Sequence, residues 1–419
     1  MLKKLLRQNW MLVANADEAA ASCPEKVHFL QEDFIRKYYP VAQLPEAQMD
    51  FVIGKAAEFD RNELIRQLAW YLYLNFSKSK PGAYKGFPEF IIQLGYDTGI
   101  MYLLIGMSLI PELEARAERE NFPMRYAHDA ASRLGTFPVF FAQAFNGRFG
   151  IRARSLNFML NFRDRDMYRI GRFDFILEQS VDFFPMVYSN GSSLKLLCAD
   201  GWRLDSNGDR LHPNTEPQPG EWFSEFSDDG NIIRGVPVDT ATGLAEKKVV
   251  ELSAEEWKLA VSPDDWLLHI HIPGGGRMTP EVCRSSFDEA LKFFAEKYPD
   301  RPVKAIFTVS WIANPAWLDY LPDSNLAALI RSSALYPWVH NNNAGLYFVF
   351  GREDNDYASY PRTNSLERAM MQCIEDGRPL RSTGILILPL PGKKREFTAH
   401  CCLNGTGPAV LRQISAHSR

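Results

Sequence analysis

Hydrophobic positions divide the chain into two regions of different period. Over about the first 145 residues apolar side chains recur at helical spacing, and no alternating strand pattern interrupts them. Residues 61–76 put Leu64, Ile65, Leu68, Ala69, Leu72 and Phe76 on one helix face. Residues 95–120 begin apolar and end charged, so one end is expected to be buried and the other solvated, with Pro111 kinking or splitting the helix. Residues 78–86 (KSKPGAYKG) read as a loop from their Pro and Gly content.

The pattern changes near residues 146–150 (NGRFG), and strands dominate from Tyr168. Residues 168–177 (YRIGRFDFIL) read as one aromatic, β-branched strand, on which Arg169 and Arg172 face opposite sides and one of them pairs with a carboxylate such as Asp174. Strands follow at 186–188, 194–198, 232–238 and 247–252, a loop at 205–220 and a short helix at 254–260. Residues 266–311 then give strand, glycine triplet, helix and strand. Leu267, Leu268, Ile270 and Ile272 supply the first strand, and residues 303–309 the second. Between them Thr279 caps a helix with Pro280 at its first position, and Cys283, Phe287, Ala290, Leu291, Phe294 and Tyr298 form its apolar face. Further on, 315–320 and 324–334 read as short helices, with Asp323 or Ser324 as a cap. Residues 345–350 read as a strand, and 365–375 as an amphipathic helix stopped by Gly377. Strands at 385–390 and 396–403, joined through 393–396, precede a frayed tail from residue 405. No internal repeat or low-complexity tract appears.

At 419 residues the chain is too long for one ordinary core, so two domains are expected. Hydrophobic content of 46% and charged content of 23% are those of a soluble globular protein. A net charge of −4 offers no footprint for nucleic acid, and Lys393, Lys394 and Arg395 read as a solvated turn. The most apolar run, 99–111, is 13 residues, too short for a bilayer span, so no membrane association is expected. No secretory signal follows the start MLKKLLRQNW. Six cysteines (Cys23, Cys198, Cys283, Cys373, Cys401, Cys402) form no CxxC pair, which points to free thiols and a cytoplasmic location.

The strand–glycine–helix unit aims unpaired N–H groups and the positive end of a helix dipole at one spot, which suits a phosphate or pyrophosphate. The same glycines also satisfy a purely structural reading, a tight strand-to-helix turn.

Several stretches carry a resemblance. YRIGRFDF (168–175), IRGVPVD (233–239), VVELSAEEW (249–257) and LLHIHIPGGGRMTPEVCRSSFDEALKFFAEKYP (267–299) are followed by SWIANPAWLDYLPDSN (310–325) and PRTNSLERAMMQCIEDGRPLRSTGILILP (361–389). In this order and spacing the chain resembles a bacterial acyltransferase-domain family, in which a helical N-acyltransferase N-terminal domain precedes a GNAT-like C-terminal domain. The resemblance implies an α/β (α+β) fold with a helical domain at 1–147. A GNAT-like domain with a mixed twisted sheet flanked by helices follows at 148–390, and a terminal strand and tail at 391–419. It implies acetyl-CoA or another acyl-CoA as donor, no metal, and a small-molecule amine as acyl acceptor. His271 to Gly276 (HIPGGG) has the spacing of the family's pyrophosphate loop, with His where Gln or Arg is usual and Pro273 removing one donor. Ile272, Gly274, Gly275, Gly276, Arg277 and Thr279 are thereby implied to hold the CoA. The family also often places His before the Ser-Trp pair, where this chain has Val309.

The resemblance implies that backbone N–H groups near 270–272 polarise the thioester carbonyl. His269 and His271 share a strand face, and His271, beside the loop, is the candidate base; a structural, hydrogen-bonded histidine is the alternative. An HxH metal pair lacks a third ligand. Ser310 ends the second strand, where it binds substrate or is satisfied by backbone. Tyr320 and Ser324 are candidate acids for the departing thiolate, or a core residue and a cap. Arg277 contacts phosphate or is an exposed loop residue. The competing functional class is a non-catalytic GNAT-like binding module. A weaker one is a hydrolase, which requires Ser310 or another nucleophile within reach of His271.

Overall fold

The computed structural model describes residues 1–81, 87–339 and 343–388. Helices dominate the first part. Glu63–Lys78 is capped by Asn62, whose side chain accepts from the backbone of Leu64 and Ile65, and it buries Ile65, Leu68, Ala69, Leu72 and Phe76. The apolar-to-charged segment is split as its proline requires, into Thr98–Met107 and Ile110–Arg119 with Pro111 in the first turn of the second helix. By length and composition alone Thr98–Arg119 passes for a membrane span, but 78% of its apolar window lies inside the protein. The helical core does not stop where the sequence pattern changes. Ala153–Asp164 buries Leu156, Met159, Leu160 and Phe162 in the same cluster as Leu68, Leu104 and Ile105.

A six-stranded sheet forms the second part. Its order is Met167–Ile170, Phe173–Glu178, Trp266–His271, Val303–Ser310, Thr383–Ile387 and Ala334–Tyr336. Among the described strands of this sheet only Trp266–His271 and Val303–Ser310 are parallel, joined by the helix Pro280–Lys297; the other neighbour pairs are antiparallel. That helix and Ser365–Glu375 cover one face, where Leu268, Ile270, Ile306 and Ile385 meet Cys283, Phe287, Ala290 and Phe294. The other face is shared. The helical part reaches Asp174 through Arg133, while small sheets drawn from residues 180–261 pack Phe184, Val187 and Leu196 on Leu267, Ala305 and Phe307.

Several expectations are corrected. Residues 168–177 are not one strand but a hairpin, Met167–Ile170 and Phe173–Glu178, turning at Gly171 and Arg172. Gly171 has φ 58, and a Cβ there would stand 2.3 Å from Ser286 Oγ, so the turn takes glycine. Residues 345–350 are the short helix Leu346–Phe350, bounded by Gly345 (φ 93) and Gly351 (φ 72). A short apolar run has no period of its own, and here glycines at both ends decided it. The helix expected at 254–260 is a turn followed by the strand Lys258–Val261. Ala334, expected at the end of a helix, opens a strand instead, since Asn325–Arg331 stops earlier. Ser365–Glu375 forms as expected, with a capping box between Asn364 and Glu367. The strand at 396–403, its connection at 393–396, the tail, Cys401, Cys402 and part of the 78–86 loop lie outside the described residues.

Candidate functional site

The two parallel strands run side by side only as far as His269 and Phe307. Beyond that pair one continues to His271, held by Phe173–Glu178, and the other to Ser310, held by Thr383–Ile387. Their facing backbone groups from Ile270 and Thr308 onward therefore have no strand partner, and a gap opens at their carboxyl ends, where open α/β sheets place ligands.

The glycine loop continues from this gap. Gly275 (φ 74) and Gly276 (φ 68) take the left-handed conformation, and among the described residues no hydrogen bond uses the backbone N–H groups of Gly274 to Met278. Thr279 Oγ1 accepts from the Val282 N–H, and Pro280 starts the 18-residue helix. Donors and helix dipole thus converge, as the sequence indicated. Past the loop a small groove of about 90 Å³, open to solvent, runs between this helix and Asn325–Arg331. Met278, Pro280, Cys283, Arg284, Ala328 and Leu329 line it.

The sequence pattern assigns Arg172 no ligand role, yet it stands against the loop. Its Nη2 donates to Pro273 O at 2.7 Å, and its buried Nε has no hydrogen-bond partner and lies 3.4 Å from where a Gly276 Cβ would be. Ser286 fixes the turn below it by accepting from the Arg172 N–H and donating to Ile170 O. The signal was present: a Gly-Arg pair inside an aromatic run marks a hairpin turn. Arg277 is exposed on the loop.

His269 and His271 do share a face, with ring centres 4.6 Å apart. His269 stacks on Phe307 and sets Nδ1 3.0 Å from Glu178 Oε2. Burial alone would raise Glu178, but the His269 hydrogen bond and the Arg165 charge outweigh it and hold the carboxyl below its usual range. An ionised carboxylate only accepts, so the His269 proton sits on Nδ1. His271 meets the edge of Phe158. Burial, then the neighbouring His269, pushes it down to about 3, so its imidazole is neutral at physiological pH.

The candidate hydroxyls are engaged elsewhere. Ser310 Oγ accepts from the Ile312 N–H. Ser310 also alternates with Phe307 and Val309 and so lies on the helix-covered face, opposite His271. No Ser310–His271 nucleophile pair exists, and the hydrolase reading falls. Ser324 caps Asn325–Arg331 through the Ala327 N–H. Tyr320 donates to Asp376 Oδ2 at 2.7 Å. Among the described residues no group of three or more His, Cys, Asp or Glu is placed to hold a metal.

Aromatic rings close the mouth of the gap. Phe140, from the helical part, stands 3.0 Å from where a Gly274 Cβ would be. Phe348 lies 6.1 Å from Phe140 and 6.5 Å from Trp311, which follows the end of the second strand.

The profile of the GNAT-like C-terminal domain family matches residues 167–386, more than half of the chain. The chain belongs to this family. Its fold recurs in solved structures. A crystal structure of an acyltransferase in complex with decanoyl-CoA covers 93% of this chain and 98% of its own, at TM-score 0.58 and 17% identity. The same kind of enzyme in complex with decanoyl-CoA and teicoplanin covers 90% and 94%, at TM-score 0.58 and 17% identity. A point mutant of an acyltransferase in complex with octanoyl-CoA covers 93% and 100%, at TM-score 0.59 and 17% identity. These matches extend the likeness across the helical part as well as the GNAT-like domain. No curated protein matches the chain in sequence.

Proposed function

We propose that this GNAT-like protein transfers an acyl group from acyl-CoA to an amine by direct attack, without a covalent enzyme intermediate. The observation that carries the reading is the parting of two parallel strands beside a glycine loop of free N–H groups. The loop and Arg172 receive the pyrophosphate, and the pantetheine arm enters the gap. A backbone N–H within residues 270–272 that faces the gap polarises the thioester carbonyl. The amine nitrogen bonds to that carbon, the C–S bond breaks, and the proton lost by the amine ends on the CoA thiol. Neutral His271 accepts a hydrogen bond from the amine; with a value of about 3 it orients more than it deprotonates. The structurally similar enzymes bound to acyl-CoA support this donor, and the one bound to teicoplanin supports a small-molecule acceptor. The buried thiols of Cys198, Cys283 and Cys373 support a reducing, cytoplasmic setting.

A thiol-release assay with acetyl-CoA and decanoyl-CoA against a panel of amines tests the reading. Amine-dependent CoA release supports it, and donor binding without release sinks it. The latter outcome would favour a non-catalytic binding module, the second reading, which the engaged hydroxyls of Ser310, Tyr320 and Ser324 favour.

A further inference from the structure

Along the rim of the gap, arginines and aromatic rings alternate. The Arg148 guanidinium lies 4.1 Å from the Tyr96 ring centre, and Tyr96 packs on Phe145. Arg152 lies 5.7 Å from Phe145 and 5.3 Å from Tyr347. Arg154 covers the other end, 3.4 Å from the Tyr347 ring centre. Tyr347 stacks with Phe140, the ring that touches the glycine loop, so the strip runs up to the mouth of the gap.

The charges on this strip are unbalanced. Arg152 pairs with Glu89 and donates to the Tyr347 hydroxyl. Among the described residues neither Arg148 nor Arg154 has a carboxylate within ion-pair distance. Both are exposed. A guanidinium stacked on a ring keeps its N–H edge free, and that edge matches a carboxylate in a bidentate fork. Phe348, 52% exposed next to Tyr347, adds a flat apolar face open to solvent. Desolvation of the guanidinium, then the Arg152 charge, brings Arg154 down to about 10, and the more distant charges of Glu89 and Glu353 offset this only in part.

We infer that this strip seats the acceptor, and that the acceptor is an amine that also carries a carboxylate and a flat ring, such as an aromatic amino acid or a peptide ending in one. The inference rests on the acyl-transfer reading for the identity of the acceptor amine. The carboxylate is held by Arg154, the ring lies against Tyr347 and Phe348, and the amine points into the gap.

Calorimetric titration of the full chain, free and saturated with CoA, tests this with two probe pairs: L-tryptophan against tryptamine, and glycyl-L-tryptophan against its C-terminal amide. The carboxylate-bearing member of each pair is expected to bind at least about tenfold tighter. Arg154→Gln should bring each pair to within about twofold while leaving CoA affinity unchanged, whereas Arg154→Lys keeps part of the preference. Equal binding within the pairs, no binding of any probe, or a preference that survives Arg154→Gln overturns the inference. CoA affinity is read in the same series, so loss of the donor reading is seen separately from loss of the acceptor site.

Discussion

His269 Nδ1 sits 3.0 Å from Glu178 Oε2, and its ring is held between Phe307 and His271. The hydrogen bond fixes the tautomer of a residue one ring away from the candidate reaction centre. Glu178→Gln removes the charge and keeps the shape. It is expected to cost about 1–3 kcal/mol of stability, because a charge-assisted bond in a largely buried place is lost. Chemical denaturation of the two proteins at neutral pH checks this.

Acid lability follows from the same pair of histidines. Glu178 has a folded value below its unfolded one, so its stabilisation is present above the ordinary carboxylate range and lost as pH falls through the folded value. His271 is also lowered, from 6.5 to about 3. Between those values the unfolded chain binds a proton that the native imidazole refuses, so stability again falls as pH falls, by up to about 1.4 kcal/mol per pH unit. Replacing His271 with Gln should flatten the stability curve between pH 6.5 and 3. An unchanged slope in denaturation measured across that window would contradict the assignment.

Asp174 joins the two parts of the molecule. It is fully buried, with Arg133 Nε 3.0 Å and Arg169 Nη1 3.9 Å from its oxygens, and Arg172 also acts on its charge. Asp174→Asn should cost about 3–5 kcal/mol, since Arg133 is then left buried without its counter-charge. Thermal unfolding would show this as a markedly lower Tm.

The hydroxyls of Ser310, Tyr320 and Ser324 bond within the protein, to the Ile312 N–H, the Asp376 carboxylate and the Ala327 N–H respectively. Tyr320→Phe is therefore expected to change kcat by less than about twofold in the thiol-release assay. Ser324→Ala should cost about 1 kcal/mol of stability as a lost helix cap. A hundredfold drop in kcat for Tyr320→Phe would instead make its hydroxyl the thiolate's proton source.

Much of this was legible in the chain before folding. The strand, glycine loop and helix at 266–297 have local causes: apolar residues in series, glycines free to take positive φ, and Thr279 with Pro280 at a helix start. What was illegible depends on partners distant in sequence. The face opposition of Ser310 and His271 follows from which strands pair. The role of Arg172 follows from Ser286, far along the chain, which pins the hairpin turn. Phe140 reaches Gly274 only because helices from the first part pack at the edge of the sheet. The run at 345–350 misleads because an apolar hexapeptide has no period long enough to separate helix from strand.

Binding of CoA and acetyl-CoA to wild type and to Gly275→Asp, by calorimetric titration, tests the central claim most directly. A Cβ at Gly275 meets nothing within 4 Å, so the variant perturbs the loop's conformation and charge without a packing clash. Wild type is expected to bind both ligands, and the variant, folded by circular dichroism, to lose at least about tenfold in affinity as the added carboxylate repels the pyrophosphate. Absence of binding by wild type, or equal binding by a folded variant, would contradict the placement of CoA on this loop.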